Sequence, residues 1–114
     1  MSKELPQQLF VYNSGVFCGT LMFDGTAYTF QYLPSYQGLP ISLTMPYQLD
    51  PYVYAVFPPF FDGLLPEGYQ LEGLLRIRKI DRDDYMGQLA AVGRDMVGTV
   101  TVLEQLPLSK KAKS

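Results

Sequence analysis

Residues 8–33, QLFVYNSGVFCGTLMFDGTAYTFQYL, decide the fold. Leu9 to Tyr12 is a short apolar strand, and Asn13-Ser14-Gly15 is a tight turn in which Gly15 supplies positive φ. Val16 to Phe23 follows as a second strand, with Phe17, Leu21 and Phe23 expected on one face. Asp24-Gly25 is a two-residue hairpin signal. Thr26 to Leu33 then alternates cleanly, with Tyr28, Phe30 and Tyr32 on one face and Ala27, Thr29 and Gln31 on the other. Three strands joined by two short turns make an antiparallel meander.

The rest of the chain completes that sheet. Pro34, Pro40, Pro46, Pro51, Pro58 and Pro59 forbid a long helix between residues 34 and 59. Ile41 to Met45 and Val53 to Phe57 are short strand candidates within an irregular connection held by its tyrosines. Phe60 to Leu65 makes one or two helical turns, with about two of Phe60, Phe61, Leu64 and Leu65 expected to be fully buried. Pro66 and Glu67 suit the first turn of a second helix, in which Leu71, Leu74, Leu75 and Arg78 fall at helical spacing. Asp81 is the expected cap of a third helix, Tyr85, Met86, Leu89 and Ala90 its apolar face, and Gly93 its end. Val97 to Leu103 returns as a last strand. The expected fold is α+β: an antiparallel β meander or small barrel-like sheet, a helical cluster and a closing C-terminal strand. Its expected bounds are 9–104, after a lead over 1–8 and before a flexible Lys-rich tail over 105–114.

Composition narrows the chemistry. The 114 residues are 47% hydrophobic and 14% aromatic, as in a packed globule. No apolar run approaches a membrane span, and Met1 to Pro6 lacks the apolar stretch of a secretory signal, so a cytoplasmic protein is expected. Histidine is absent and Cys18 is the single cysteine, which removes Ser-His and Cys-His nucleophiles, histidine metal sites and Cys-rich zinc sites. The usual glycine-rich phosphate loops are also missing. No cofactor or metal is expected, and a non-enzymatic binding module is favoured. The net charge is −2 and the pI about 4.9, which disfavours direct nucleic-acid binding. No lysine or arginine lies between Glu4 and Leu75, so the body is acidic and the cations gather late, at Arg76, Arg78, Lys79, Arg82, Arg94 and the tail. An acidic, aromatic body suits a partner with a basic groove. The acids could equally serve solubility alone.

Four motifs then occur in a fixed order. They are Val11 to Leu21 (V-Y-x-x-G-x-x-x-G-x-L), Pro40 to Pro46 (P-I-S-L-T-M-P), Phe60 to Glu67 (F-F-x-x-L-L-P-E) and Val92 to Gly98 (V-G-R-D-x-x-G). Together they resemble the N-terminal subdomain of the HipA-like serine/threonine kinase toxins, over about residues 9 to 103. In full-length toxins a kinase core with the ATP site and catalytic aspartates follows this subdomain, whereas here the chain stops after the closing strand. Arg94-Asp95 follows no histidine and Phe61-Asp62-Gly63 is not a D-F-G loop, so neither is kinase machinery. A freestanding copy is similar to the HipS-like antitoxins of the tripartite HipBST systems. The resemblance implies a protein that binds and neutralises a HipT/HipA-like kinase toxin at or near its active site. A HipB-like helix-turn-helix protein would handle DNA in a larger complex.

The same resemblance selects the contact residues. Relatives present a tryptophan to the toxin; this chain has none, and Tyr69 takes that place. Leu65, Pro66, Glu67 and Gly68 precede it, and Asp62 and Glu67 would meet basic groups of the kinase pocket. The competing reading has Tyr69 packing on its own helices, Glu67 as a helix-start charge and Asp62 as a turn residue. Arg76, Arg78, Lys79 and Arg82 read as a solvated face, because Asp81, Asp83 and Asp84 interrupt them. Two other functions stay open: a detached structural subdomain that supports a split kinase, and, more weakly, a DNA-binding co-repressor.

Overall fold

The computed structural model describes residues 7–95 and 98–106. The expected lead up to residue 6, the start of the last strand at Val97 and the tail from 107 onward lie outside the described residues.

The meander forms as β1 (Gln7–Asn13), β2 (Val16–Phe23) and β3 (Tyr28–Tyr32), all antiparallel. Between β1 and β2, Ser14 and Gly15 both take positive φ, 52° and 82°, whose twist matches that of the flanking strands. The second turn is wider than two residues. Asp24 keeps ordinary φ, and its carboxylate accepts from the backbone N–H groups of Thr26 and Ala27, each at 2.8 Å. Those two bonds hold the Asp24 carboxyl below its usual range, and the loop runs through Ala27 before β3 begins.

The sheet is completed by β4 (Tyr52–Tyr54) beside β3 and β5 (Val100–Leu103) beside β1, in the order β4-β3-β2-β1-β5. β4 and β5 are its two edges, so it is open, not barrel-like. Ile41 to Met45 forms no strand; only a Ser42–Met45 bridge closes there, with Leu43 at its tip.

A bulge rearranges β2. Val11 pairs with Gly19 and Tyr12 with Phe17, leaving Cys18 as the extra residue. The expected shared face of Phe17, Leu21 and Phe23 is therefore broken. Leu21 lies opposite Leu9 in the core, while Phe17 packs with Phe10 and Tyr12, at ring distances of 5.8 and 5.4 Å. Cys18 is fully buried, and burial pushes its thiol up to about 12.

The core lies on one face of this sheet. Leu9, Val11, Leu21, Phe30 and Tyr32 meet Phe61, Met86 and Leu89 from the helical side, with Val100 and Val102 from the closing strand. Each large side chain buried there contributes about 1.5–3 kcal/mol. The connection over 34–59 is tied down by phenols. Tyr32, Tyr36, Tyr47 and Tyr52 donate to the carbonyls of Met45, Leu39, Pro34 and Pro46 respectively.

Three helices follow. α1 is Pro59–Asp62, α2 is Gly68–Arg78 and α3 is Tyr85–Val92. Asp84, not Asp81, caps α3, its carboxylate accepting from the Gly87 N–H at 2.9 Å. The Asp81 carbonyl instead accepts from the Asp84 N–H. Gly93 ends α3 with helical φ of −61°, not in the left-handed region. Its need is space: a Cβ there would stand 2.4 Å from the Val102 carbonyl oxygen, so glycine lets the helix end lie against β5.

Candidate functional site

The stretch from the last residue of α1, Asp62, to the second residue of α2, Tyr69, carries every contact residue expected from the sequence. It is anchored by Phe61, fully buried, whose ring lies 5.8 Å from Phe30. Phe60, Leu64 and Leu65 are half-buried against the core, so one of the four apolar residues is fully buried where two were expected. The reason is length: α1 is a single turn and aims one side chain straight inward. After it, the Leu64 and Leu65 N–H groups bond the Phe61 and Asp62 carbonyls, which winds the chain tightly to Pro66.

Pro66 stands outside α2 and not in its first turn. Glu67 is extended at the N-cap with no side-chain cap, and Gly68 takes φ of +62°. That left-handed step swings the chain into the helix after the proline. A Cβ at Gly68 would meet nothing within 4 Å, so glycine is required here by conformation and not by space.

The step delivers Tyr69 outward, 96% exposed. No ring contact or hydrogen bond holds it among the described residues, so the reading in which it packs on its own helices is overturned. Asp62, Glu67 and Gly68 are also exposed, while Leu65 and Pro66 are half-buried beneath them. The structure thus places all six residues on one short stretch: two form its base, and four face solvent.

α2 is polarised along its length. Glu67 stands at its N-terminus, while Arg76 and Arg78 occupy its last turn, each sign where the helix dipole favours it. Glu72 accepts from Arg82 at 2.8 Å, which holds its carboxyl below the usual range. Arg76, Arg78, Lys79 and Arg82 are all exposed, as a solvated face requires.

Sequence reasoning missed two features. Leu43 stands 98% exposed at the tip of its proline-flanked bridge. A cleft of about 490 Å³ also opens beside α1, lined by residues from four separate stretches, including Phe23, Tyr28, Phe57, Asp62 and Tyr85. Only the prolines on either side of residues 41–45 hinted at the first, and nothing local signals the second. Among the described residues there is no acidic, cysteine or histidine cluster able to hold a metal, and no helix is long and apolar enough to cross a membrane.

Three comparisons bear on this arrangement. The chain is 34% identical over 103 residues to an uncharacterized protein of Haemophilus influenzae (strain ATCC 51907 / DSM 11121 / KW20 / Rd), covering 90% of this chain and 97% of that one. Its fold is similar to a solved structure described as the N-terminal domain of HipA toxin, with a TM-score of 0.71 and 29% identity over 92% of this chain and 98% of that one. The model of the HipA N-terminal domain family matches residues 9–103, which span all five strands apart from the first two residues of β1. The chain therefore belongs to the HipA N-terminal domain family.

Proposed function

We propose that this protein is an antitoxin that binds a HipT/HipA-like serine/threonine kinase toxin and neutralises it by contact at or near the active site. Family membership supports a toxin–antitoxin role and a HipA-like partner. The observation that carries the finer reading is Tyr69: a large ring, almost wholly in water, set outward by a left-handed Gly68. An exposed tyrosine on a firmly anchored turn has little rotamer freedom to lose and much apolar area to bury. Inserted in a nucleotide or substrate cleft, it excludes ligand by occupancy and makes or breaks no bond. Asp62 and Glu67 flank it with negative charge for basic groups of the pocket, while Leu65 and Pro66 keep the turn in place. The complex forms in the cytoplasm, and a HipB-like helix-turn-helix protein joins it to handle DNA.

The test is to mix the purified protein with a HipA-like kinase that lacks this subdomain, then measure complex formation and phosphorylation. A stable complex with lowered phosphorylation is expected. Raised phosphorylation would identify a supporting subdomain of a split kinase instead, and no complex would end both readings. Tyr69→Ala is expected to weaken inhibition far more than Tyr12→Phe. Equal potency of Tyr69→Ala and the parent would remove Tyr69 from its role.

A further inference from the structure

The cleft beside α1 has the chemistry of a cation site. Its aromatic walls are packed on one another: Phe23 stacks on Tyr28 at 4.3 Å, Tyr28 meets Phe57 edge-on at 5.3 Å, and Phe57 stacks on Tyr85 at 5.3 Å. Asp62 lines the same opening, and none of the described residues that line it is a lysine or arginine. Tyr28 is the informative residue. It is 8% exposed, yet its hydroxyl makes no hydrogen bond to any described residue. No fully buried side-chain oxygen or nitrogen is left without a partner among the described residues, so that hydroxyl must reach water, and the cleft is the opening its ring lines. Burial, chiefly, pushes the Tyr28 phenol above its ordinary value, so the hydroxyl stays protonated and able to accept or donate a hydrogen bond.

We infer that this cleft receives an arginine side chain of a partner polypeptide. A guanidinium lies flat on aromatic rings and carries donors for both a phenol oxygen and a carboxylate. The volume of about 490 Å³ is ample for an arginine side chain and leaves room for water beside it. The Asp62 carboxylate at the rim favours a cation, and the open mouth suits a side chain delivered from a chain that stays outside. This inference does not rest on the kinase reading, because its test uses the isolated protein.

The probes are N-acetyl-arginine amide, its neutral isostere N-acetyl-citrulline amide, and an alanine-flanked peptide with a central arginine. Binding is followed by chemical-shift changes in the full chain. Both arginine probes are expected to shift resonances of Tyr28, Phe57 and Tyr85 saturably, with the peptide binding more tightly. Asp62→Asn and Tyr28→Phe are each expected to weaken binding about threefold or more. Tyr28→Phe removes an unbonded hydroxyl from the fold, so its stability serves as the control for packing. Equal binding of the citrulline probe, or shifts scattered over the acidic surface, would overturn the site. Equal affinity for free amide and peptide would overturn the polypeptide source.

Discussion

The sheet and α2 differ in what holds them. β1, β2, β3 and β5 each bury at least two residues, and Val11, Leu21, Phe30 and Val102 are wholly out of water. α2 has eleven residues and buries none. Leu71, Leu74 and Leu75 are only half-covered, and Ile77 and Tyr69 face solvent at 75% and 96% exposure. The sheet is thus complete within this chain, while α2 keeps apolar surface that its own fold leaves uncovered. A helical repeat of leucines promises an apolar stripe; it does not promise a surface opposite.

That contrast can be broken by mutation. The largest effect belongs to the core: Phe30→Ala is expected to cost about 3–5 kcal/mol in urea unfolding, while Leu74→Ala costs well under half as much. Similar losses would erase the distinction between the two regions. Alkali should attack the same region. The Cys18 thiol and the Tyr32 phenol, ordinarily 9.0 and 10.0, are both pushed up to about 12, chiefly by burial. Both are neutral in the folded chain, so the stability they add is whole below about pH 9 and is lost as pH rises toward 12. Circular dichroism followed against pH should show cooperative unfolding in that window, and a thiol reagent should modify Cys18 only as the sheet opens.

The α2 side gives smaller and more local effects. Tyr69→Ala should leave the unfolding free energy within about 0.5 kcal/mol, yet lower affinity for the kinase about tenfold or more. Gly68→Ala forces a Cβ into left-handed φ and should cost about 1 kcal/mol. Faster amide exchange in the first turn of α2, with strand amides unchanged, would locate that cost. Glu72→Gln comes last, since the pair it breaks is exposed at both ends. Its folded carboxyl lies below the ordinary 4.5, so whatever the pair adds is present above that value and is lost as pH falls from there through the lower folded value. No measurable change in the unfolding midpoint at neutral pH is expected.

The meander was legible because alternation and turn chemistry agree: Tyr28, Phe30 and Tyr32 are buried as a set. The bulge at Cys18 was not, because one unpaired residue shifts every side chain beyond it to the other face without altering composition. The cap of α3 was misplaced for a related reason. Asp81, Asp83 and Asp84 are chemically equivalent candidates, and only backbone geometry chooses Asp84. The segment from Asp62 to Tyr69 was singled out by its motif, while the outward set of Tyr69 depends on Gly68, whose handedness no side-chain pattern announces. The aromatic cleft lay beyond any linear reading, since Phe23, Phe57 and Tyr85 meet only after the chain has folded.

The phenol ties across residues 34–59 bear on how this sequence can drift. Six prolines in that stretch remove six amide hydrogens that would otherwise answer nearby carbonyls. Tyr32, Tyr36, Tyr47 and Tyr52 lend the missing donors from outside the backbone. A phenylalanine at any of the four would keep the ring and silence the bond. Substitution tables rank that exchange among the mildest, yet here natural variation should stall at these four positions.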